Sequence, residues 1–177
     1  EGFGLRLWAE GVAGARGLRF APGGDLLVTT PRNGQVSLLL ADRDGDGRSD
    51  GQQDLLEGSN QPHGLLLEGR TLYVAEEQRV VRYDFDGAQF ANERVILEGI
   101  PGGGGHSSRT LKRGPDGFLY VSIGSSCNAC IEDHPWRAAI LRFREGATPE
   151  ISASGLRNTV GFDWEPETGA LFGVDNG

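Results

Sequence analysis

Polar side chains that could move a proton or stabilise negative charge recur in four short loops of the sequence. A neutral histidine can act as a base near pH 7 because its unperturbed pKa is about 6.5, and an arginine stays charged. Each loop comes just before a short apolar segment. The side chains are Arg16 in AGARG, Gln61 and His63 in GSNQPHG, His106 and Arg109 in GGGGHSSRT, and Arg157 and Asn158 in GLRNTVG.

A second group of candidate ligands is the acidic stretch DRDGDGRSDG at residues 42–51. Gly47 takes the sharp-turn position of a calcium-binding loop, and Gln53 stands where such a loop usually has a bidentate glutamate. Because carboxylates crowded into one turn repel one another, we expect a structural calcium ion of modest affinity, with a solvated acidic turn as the alternative. The expected carboxylate ligands are Asp42, Asp44, Asp46 and Asp50.

Cys127 and Cys130 are the two cysteines of the chain and form a C-x-x-C motif. Ile131 follows where a haem attachment would need histidine. A zinc site would need two further ligands, and His134 is the nearby candidate. We expect a short disulfide, which favours a periplasmic or extracellular location; reduced structural thiols are the alternative.

The elements that position these loops form an internal repeat. Two apolar segments joined by a glycine-bearing turn recur as GLRFAPGGDLLVTT, GLLLEGRTLYVAEE, LKRGPDGFLYVSIG and GFDWEPETGALFGVD. Two more strand-like segments follow each of the first three hairpins, and no window shows the apolar spacing of a helix. Four short strands in about 47 residues, with glycine-rich turns, predict the blades of a β-propeller.

The repeat predicts an all-β fold of about three and a half four-stranded blades. We place blade one at about 12–58, blade two at about 59–99, blade three at about 100–155 and a partial fourth blade at 156–177, preceded by LRLWAEG as an outer strand. Propellers have about four or more blades, so we expect the remaining blades or a second copy to close the ring. The four polar loops would then meet at one mouth; ordinary solvated loops are the alternative.

Composition argues against several classes of function. The chain has 177 residues and a formal net charge of −8, whereas nucleic-acid binding needs a basic face. No run approaches the roughly 18 apolar residues that span a bilayer. No G-x-S-x-G motif supports serine-hydrolase chemistry. The partners that remain are small molecules or other proteins.

Several segments resemble the sorbosone dehydrogenase-like branch of the pyrroloquinoline quinone (PQQ)-dependent soluble aldose dehydrogenases. The resemblance covers most of the chain and is carried by PHGLLLEGRTLYVAE, GGGGHSSRTLKRGPDGFLYVSIGSSCNAC, RAAILRF and GLRNTVGFDWEPETGALFGVDNG. It implies a six-bladed propeller with PQQ over the central channel. It also implies oxidation of an aldose or a related sugar or aldehyde, with electrons passed to an external acceptor.

The resemblance implies roles for the mouth residues. His106 falls at the catalytic base, Arg157 and Asn158 fall on the pair that contacts the quinone oxygens, and we group Arg109 with these cofactor contacts. Ser125 departs from the family pattern, because several members have an acidic residue there that orients the histidine.

Substrate and metal contacts follow in the same way. Gln61 falls near the glutamine that orients the sugar, and His63 is either a second substrate contact or a hydrogen-bonding residue of its loop. Gly177 falls near a backbone-carbonyl ligand of the active-site calcium ion. Two function classes remain: a quinoprotein sugar dehydrogenase, or a non-catalytic, calcium-stabilised propeller that binds a protein or carbohydrate at the same mouth. A lactonase-type propeller is less favoured, because the loops contain no acidic metal cage.

Overall fold

A computed structural model of the chain describes residues 2–177, which contain fourteen β-strands. Within this range the only helix is a three-residue 3-10 turn, Pro31–Asn33, so no described helix is long enough to cross a membrane. Strands β1 to β4 are Leu18–Phe20, Leu26–Thr30, Gln35–Leu39 and Gln52–Leu56. Strands β5 to β8 are Gly64–Glu68, Thr71–Ala75, Val80–Phe85 and Phe90–Leu97. Strands β9 to β12 are Leu111–Arg113, Leu119–Ile123, Ala139–Phe143 and Glu150–Ser154, and strands β13 and β14 are Thr159–Trp164 and Leu171–Asp175.

The strands form three four-stranded sheets and one hairpin. The sheet orders are β1-β2-β3-β4, β5-β6-β7-β8 and β9-β10-β11-β12, with β13-β14 as the fourth unit, and every paired neighbour is antiparallel. Each sheet therefore uses its strands in chain order from the inner to the outer edge. The predicted all-β fold of about three and a half blades is confirmed.

Tight turns join the inner strands as the sequence predicted. In the PGGD turn, Gly23 and Gly24 have φ of 95° and 94°, and the Gly24 N–H donates to the Ala21 carbonyl at 3.2 Å. A left-handed φ costs glycine little, because it has no Cβ to clash with the backbone. These turns are short enough to keep the two inner strands of each blade in register.

The hydrophobic core lies between successive blades. Leu27 and Leu38 of blade one pack in one cluster with Leu72 and Val74 of blade two, and all four are almost inaccessible to solvent. Two further clusters join blade two to blade three and blade three to the hairpin. Burial of such side chains contributes about 1.5–3 kcal/mol each, so the inter-blade faces hold the mouth loops in fixed relative positions.

The segment before blade one differs from the prediction. Residues 2–10 form no strand, so the interpretation of LRLWAEG as an outer strand is wrong. Instead Trp8 and Val12 pack against Leu26 and Val28, and the Trp8 carbonyl accepts a hydrogen bond of 2.8 Å from the Ser49 N–H. The segment has apolar alternation, but its contacts are made to the face of a sheet rather than to an edge.

Candidate active site at the propeller mouth

Polar side chains on the second strand of three units anchor the loops that precede the inner strands. The Gly17 N–H donates to Thr29 Oγ1 at 2.7 Å, and the Thr110 N–H donates to Ser122 Oγ at 3.0 Å. In the hairpin, Asp175 replaces the hydroxyl residue as the anchor. Each anchor therefore ties its loop to its own sheet, and the Thr29 hydroxyl also donates to the His63 carbonyl of the next blade at 3.0 Å.

Asp175 holds the Arg157–Asn158 loop by three hydrogen bonds. Its Oδ2 accepts from the Arg157 N–H at 2.9 Å, while its Oδ1 accepts from the Asn158 N–H at 2.9 Å and from Thr159 Oγ1 at 3.0 Å. Sequence reasoning missed this carboxylate. The sequence feature that could have predicted its role is the acidic residue in VDNG, at the end of the last inner hairpin and opposite a loop expected to contact a ligand.

The run of four glycines is clamped between two blades. The Gly103 N–H donates to Glu77 Oε1 at 2.8 Å, and the Gly105 N–H donates to the Ser126 carbonyl at 2.9 Å. Gly104 has φ of 88°, and a Cβ on it would lie 2.7 Å from the Ser126 oxygen. The run is therefore a fixed crossing whose close backbone contact is with Ser126.

The Arg109 side chain points into the protein and binds backbone carbonyls on either side of the glycine run. It is fully buried, with Nε donating to the Glu77 carbonyl at 2.9 Å and Nη2 to the Pro101 carbonyl at 3.1 Å. Its Nη1 donates to the carbonyls of Ser108 and His106. Burial lowers the pKa of Arg109 to about 10, and the nearby Arg137 adds to this effect. The expectation that Arg109 contacts a cofactor does not fit this position, because its guanidinium is used by backbone carbonyls.

His106 follows the glycine run and is oriented by Ser125. Its Nδ1 lies 3.1 Å from the Ser125 carbonyl oxygen and 2.9 Å from Ser125 Oγ. The Ser125 Oγ in turn donates to the Cys127 carbonyl at 2.6 Å, and the Ser125 N–H donates to the Arg157 carbonyl at 2.7 Å. Ser125 is thus bonded to the histidine, the disulfide loop and the Arg157 loop.

His106 and Asn158 meet across Gly124. A Cβ on Gly124 would lie 2.5 Å from the His106 Cβ and 3.1 Å from Asn158 Oδ1, so only glycine leaves room for both side chains. Asn158 is only 7% exposed, and no described group donates a hydrogen bond to its Oδ1. The structure therefore brings together His106 and Asn158, two residues that the sequence placed in one site.

Arg157 lies beside this pair and is half-buried. Its Nη2 donates to Asn128 Oδ1 at 2.6 Å, and its Nη1 donates to the Asn176 carbonyl. A guanidinium carries five N–H donors, so these two contacts orient it and leave further donors. Arg157 can thus hold a fixed positive charge between the disulfide loop and the end of the hairpin.

Arg16 and His63 line a separate part of the mouth. They lie on a cavity of about 520 Å³ along the inner strands, with Thr110 and Val160 on its far side. Burial lowers the pKa of His63 to about 4, and the positive charges of Arg16 and Arg109 add to this effect. His63 is therefore neutral at pH 7.

Gln61 is held at the edge of blade two. It has φ of 51°, in the left-handed region that non-glycine residues seldom adopt, and its Nε2 donates to Glu77 Oε2 at 3.3 Å. Glu77 also accepts from Gly103, so the Gln61 loop and the glycine run share one carboxylate.

Cys127 and Cys130 form the predicted disulfide, which closes a loop directly after Ser125. The zinc alternative is wrong for this state, because neither sulfur is available as a thiolate ligand. His134 serves its own turn, where its Nδ1 accepts from the Trp136 N–H at 3.1 Å. The disulfide loop also borders a second cavity of about 370 Å³ that reaches Arg157 and Arg137.

The acidic loop lies away from the histidine, between strands β3 and β4. Asp42, Asp44 and Asp50 each offer a carboxylate oxygen within 4.8 Å of the others, whereas Asp46 lies outside this group. Asp42 also accepts the Gly45 and Gly47 N–H groups at 2.7 and 2.8 Å. The structure therefore gathers three of the four predicted carboxylates.

Gly177, the remaining metal candidate, is exposed. Among residues 2–177 no group of three metal-ligating side chains lies at the mouth beyond the disulfide cysteines with Glu132. Side chains of the described chain therefore do not make a calcium cage beside His106.

The chain matches a known protein family over its whole length. The sequence profile of the TrAA12-like family matches residues 1–177. The chain belongs to the TrAA12-like family. No curated protein matches the chain.

Three solved structures share the fold of this TrAA12-like chain. The holo form of the pyranose dehydrogenase PQQ domain from Coprinopsis cinerea has 20% sequence identity and a TM-score of 0.78, covering 94% of this chain and 44% of that chain. A calcium structure of Trichoderma reesei carbohydrate-active enzymes family AA12 has 24% identity and a TM-score of 0.79, covering 97% and 48%. The PQQ-bound form of aldose sugar dehydrogenase from Streptomyces coelicolor has 24% identity and a TM-score of 0.72, covering 96% and 58%.

These likenesses confirm the β-propeller fold. The chain spans about half the length of the solved structures it matches. The predicted resemblance to PQQ-dependent sugar dehydrogenases is confirmed at the level of the TrAA12-like family and the fold, while the sorbosone branch stays a prediction.

Proposed function

We propose that this chain carries the base-bearing half of a PQQ-dependent dehydrogenase that oxidises an aldose or a related sugar or aldehyde. The observation that carries the proposal is the meeting of His106 and Asn158, from two different blades, across Gly124, with the Arg157 carbonyl bonded to the Ser125 N–H beside them. A proton acceptor and a fixed cation are groups that assist such an oxidation. Membership of the TrAA12-like family supports the same conclusion.

The residues present fit PQQ at the mouth. Asn158 has a buried carboxamide whose Oδ1 has no donor among the described residues, and Arg157 keeps unused N–H donors beside it. Quinone and carboxylate oxygens accept from the arginine N–H groups, and a fixed arginine is suited to their charge. The Asn158 Oδ1, itself an acceptor, can accept from an N–H or O–H group of the ligand. Arg157 and Asn158 would hold the cofactor, and Arg16 lies across the mouth as a further cation.

Bound PQQ would supply the two-electron acceptor for the hydride removed from the substrate, with the electrons passed on to an external acceptor. His106 takes the hydroxyl proton of the substrate on Nε2, the ring nitrogen that Ser125 does not contact. Arg157 stabilises negative charge that develops nearby, at no cost in reorientation, because Asn128 and Asn176 already fix its guanidinium. His63, neutral at pH 7, and Gln61 are proposed to contact the sugar.

Calcium belongs to this proposal at the acidic loop, where it would have a structural role. Asp42, Asp44 and Asp50 provide oxygen ligands of the kind Ca²⁺ prefers, and we propose Asp46 and backbone carbonyls to complete the shell. Calorimetric titration with Ca²⁺ should show millimolar binding that D42N/D44N removes. No heat of binding in the unsubstituted chain would contradict it. The mouth side chains do not fit a calcium ion, so no step is assigned to one there, and Gly177 stays a prediction.

The test of the proposed function is cofactor binding combined with turnover. Equilibrium dialysis of the closed ring, in which the remaining blades or a second copy complete the chain, should show PQQ binding. R157A should weaken this binding at least tenfold and H106A should leave it within about twofold, since one hydrogen-bonded charge contributes about 1.5–3 kcal/mol. Dye-linked oxidation of aldoses should be lost in H106A and retained in H134A, the matched control. Failure of the closed ring to bind PQQ would overturn the proposal in favour of a non-catalytic propeller that binds a protein or carbohydrate.

Location and assembly complete the proposal. The Cys127–Cys130 disulfide supports a periplasmic or extracellular location, because such bonds persist in oxidising compartments. We propose that further blades or a second copy close the ring. These added blades would then form the side of the mouth opposite to His106. Sedimentation of the purified chain separates a monomer from a self-completing dimer.

A further inference from the structure

The hydrogen bonds of His106 identify which of its ring nitrogens carries the proton. The Ser125 carbonyl oxygen, 3.1 Å from Nδ1, has no proton and can only accept. A hydrogen bond between these two atoms therefore requires a proton on Nδ1.

The second partner of Nδ1 is restricted in the same sense. Ser125 Oγ has one proton, and that proton is donated to the Cys127 carbonyl at 2.6 Å. Toward His106, 2.9 Å away, the hydroxyl can therefore only accept. Both oxygens of Ser125 thus favour the same tautomer of the histidine.

Ser125 can impose this choice because it is itself held on three sides. It is 5% exposed, its N–H donates to the Arg157 carbonyl at 2.7 Å, and its hydroxyl is directed into the loop that the Cys127–Cys130 disulfide closes. The adjacent Ser126 binds Glu132 through its N–H at 2.8 Å. These contacts leave the hydroxyl of Ser125 little freedom to turn and donate to the ring.

We infer that Ser125 is a positioning residue that locks the neutral ring of His106 in the Nδ1–H tautomer, with the disulfide loop holding the serine hydroxyl as an acceptor. The inference rests on the proposed function, in which His106 receives a proton. It leaves the lone pair on Nε2, the ring nitrogen that Ser125 does not contact. A serine and a peptide carbonyl here do the orienting that a carboxylate would do, without placing a negative charge beside the base.

The tautomer can be measured without cofactor or turnover. The chain has three histidines, so ¹⁵N spectra of the imidazole rings, assigned with H63Q and H134Q, resolve His106. At about pH 8, where an ordinary histidine is neutral, we expect the protonated-nitrogen shift at Nδ1 and the unprotonated shift at Nε2. A His106 ring protonated mainly at Nε2 would overturn the inference.

Substitutions separate the hydroxyl from the fold. S125A removes one of the two acceptors of His106 Nδ1–H and should lower the fraction of rings protonated at Nδ1. S125T keeps a hydroxyl and should retain the fraction of the unsubstituted chain. S126A is the matched control and should leave this fraction unchanged. C127S/C130S, which frees the loop, should lower the fraction as well. An unchanged tautomer in both S125A and C127S/C130S, with native far-ultraviolet spectra, would overturn the role of the hydroxyl and loop. Because these readouts need no PQQ, a chain that fails to bind cofactor can still pass or fail them.

Discussion

Asp175 and Asn158 are joined by a hydrogen bond of 2.9 Å from the asparagine N–H to Oδ1 of the aspartate, although they lie seventeen residues apart in the chain. The same carboxylate accepts the Arg157 N–H through its other oxygen. One side chain thus fixes the backbone of both residues proposed to hold the cofactor.

Loss of this carboxylate should loosen the Arg157–Asn158 loop. D175A removes three hydrogen bonds to a charged acceptor at an exposed position, so we expect a stability loss of about 1–2 kcal/mol and weaker PQQ binding. Urea unfolding and equilibrium dialysis measure the two effects. E167A, which removes an exposed carboxylate from the turn of the same hairpin, is the control. Unchanged binding in D175A would show that the loop holds its shape without this residue.

Replacement of Arg109 should damage the fold rather than the chemistry. R109M fills much of the same volume but leaves the carbonyls of Glu77, Pro101 and Ser108 without their donor, and a buried orphaned acceptor costs about 1–3 kcal/mol. We expect a loss of at least about 3 kcal/mol in urea unfolding. R16M at an exposed arginine should change stability by less than about 0.5 kcal/mol. A mild R109M variant that specifically loses PQQ would support the original cofactor-contact prediction instead.

Stability should fall in acid because of His63. Its pKa is about 4 in the folded chain and about 6.5 when unfolded, so the unfolded state binds a proton first as the pH drops. The contribution of this residue is therefore complete above about pH 6.5 and is lost progressively down to about pH 4, by up to about 3 kcal/mol. Unfolding free energies across this range, with H63Q as the comparison, measure the effect. Parallel pH curves for the two proteins would refute it.

Gly124 should tolerate no side chain. G124A places a Cβ 2.5 Å from the His106 Cβ and 2.7 Å from its carbonyl oxygen, which must push the histidine from Ser125. We expect a destabilisation of about 1–3 kcal/mol, the usual cost of overpacking, and a loss of the His106 tautomer signature. G161A adds a methyl group where nothing lies within 4 Å and serves as the matched control. A G124A protein with native stability and an unshifted His106 signal would contradict this packing.

The blade architecture could be predicted because its determinants are local. Alternating apolar residues and glycine-bearing turns such as PGGD specify hairpins within about ten residues of sequence, and the repeat supplies their order. The same locality explains the failure at LRLWAEG. Its alternation is typical of a strand, but strand formation needs an adjacent edge, and the sheet face at Leu26 and Val28 binds Trp8 instead.

The direction of loop side chains could not be predicted in the same way. His106 and Arg109 are three residues apart in one polar loop, yet one contacts Ser125 at the mouth and the other is wholly enclosed. The position of Arg109 depends on the Glu77 carbonyl, which blade two brings there, and on the Pro101 carbonyl of its own loop. Sequence spacing does not encode such contacts, so it assigned both residues to the ligand.

Neighbouring mouth loops are tied to one another as well as to their own sheets. Glu77 accepts from Gln61 through one carboxylate oxygen and from the Gly103 N–H through the other, and the Thr29 hydroxyl donates to the His63 carbonyl of the next blade. A substitution or insertion in one loop therefore changes the attachment of its neighbour. Engineering of substrate choice at this mouth would have to exchange the loops at 59–63 and 101–109 together, as one matched pair.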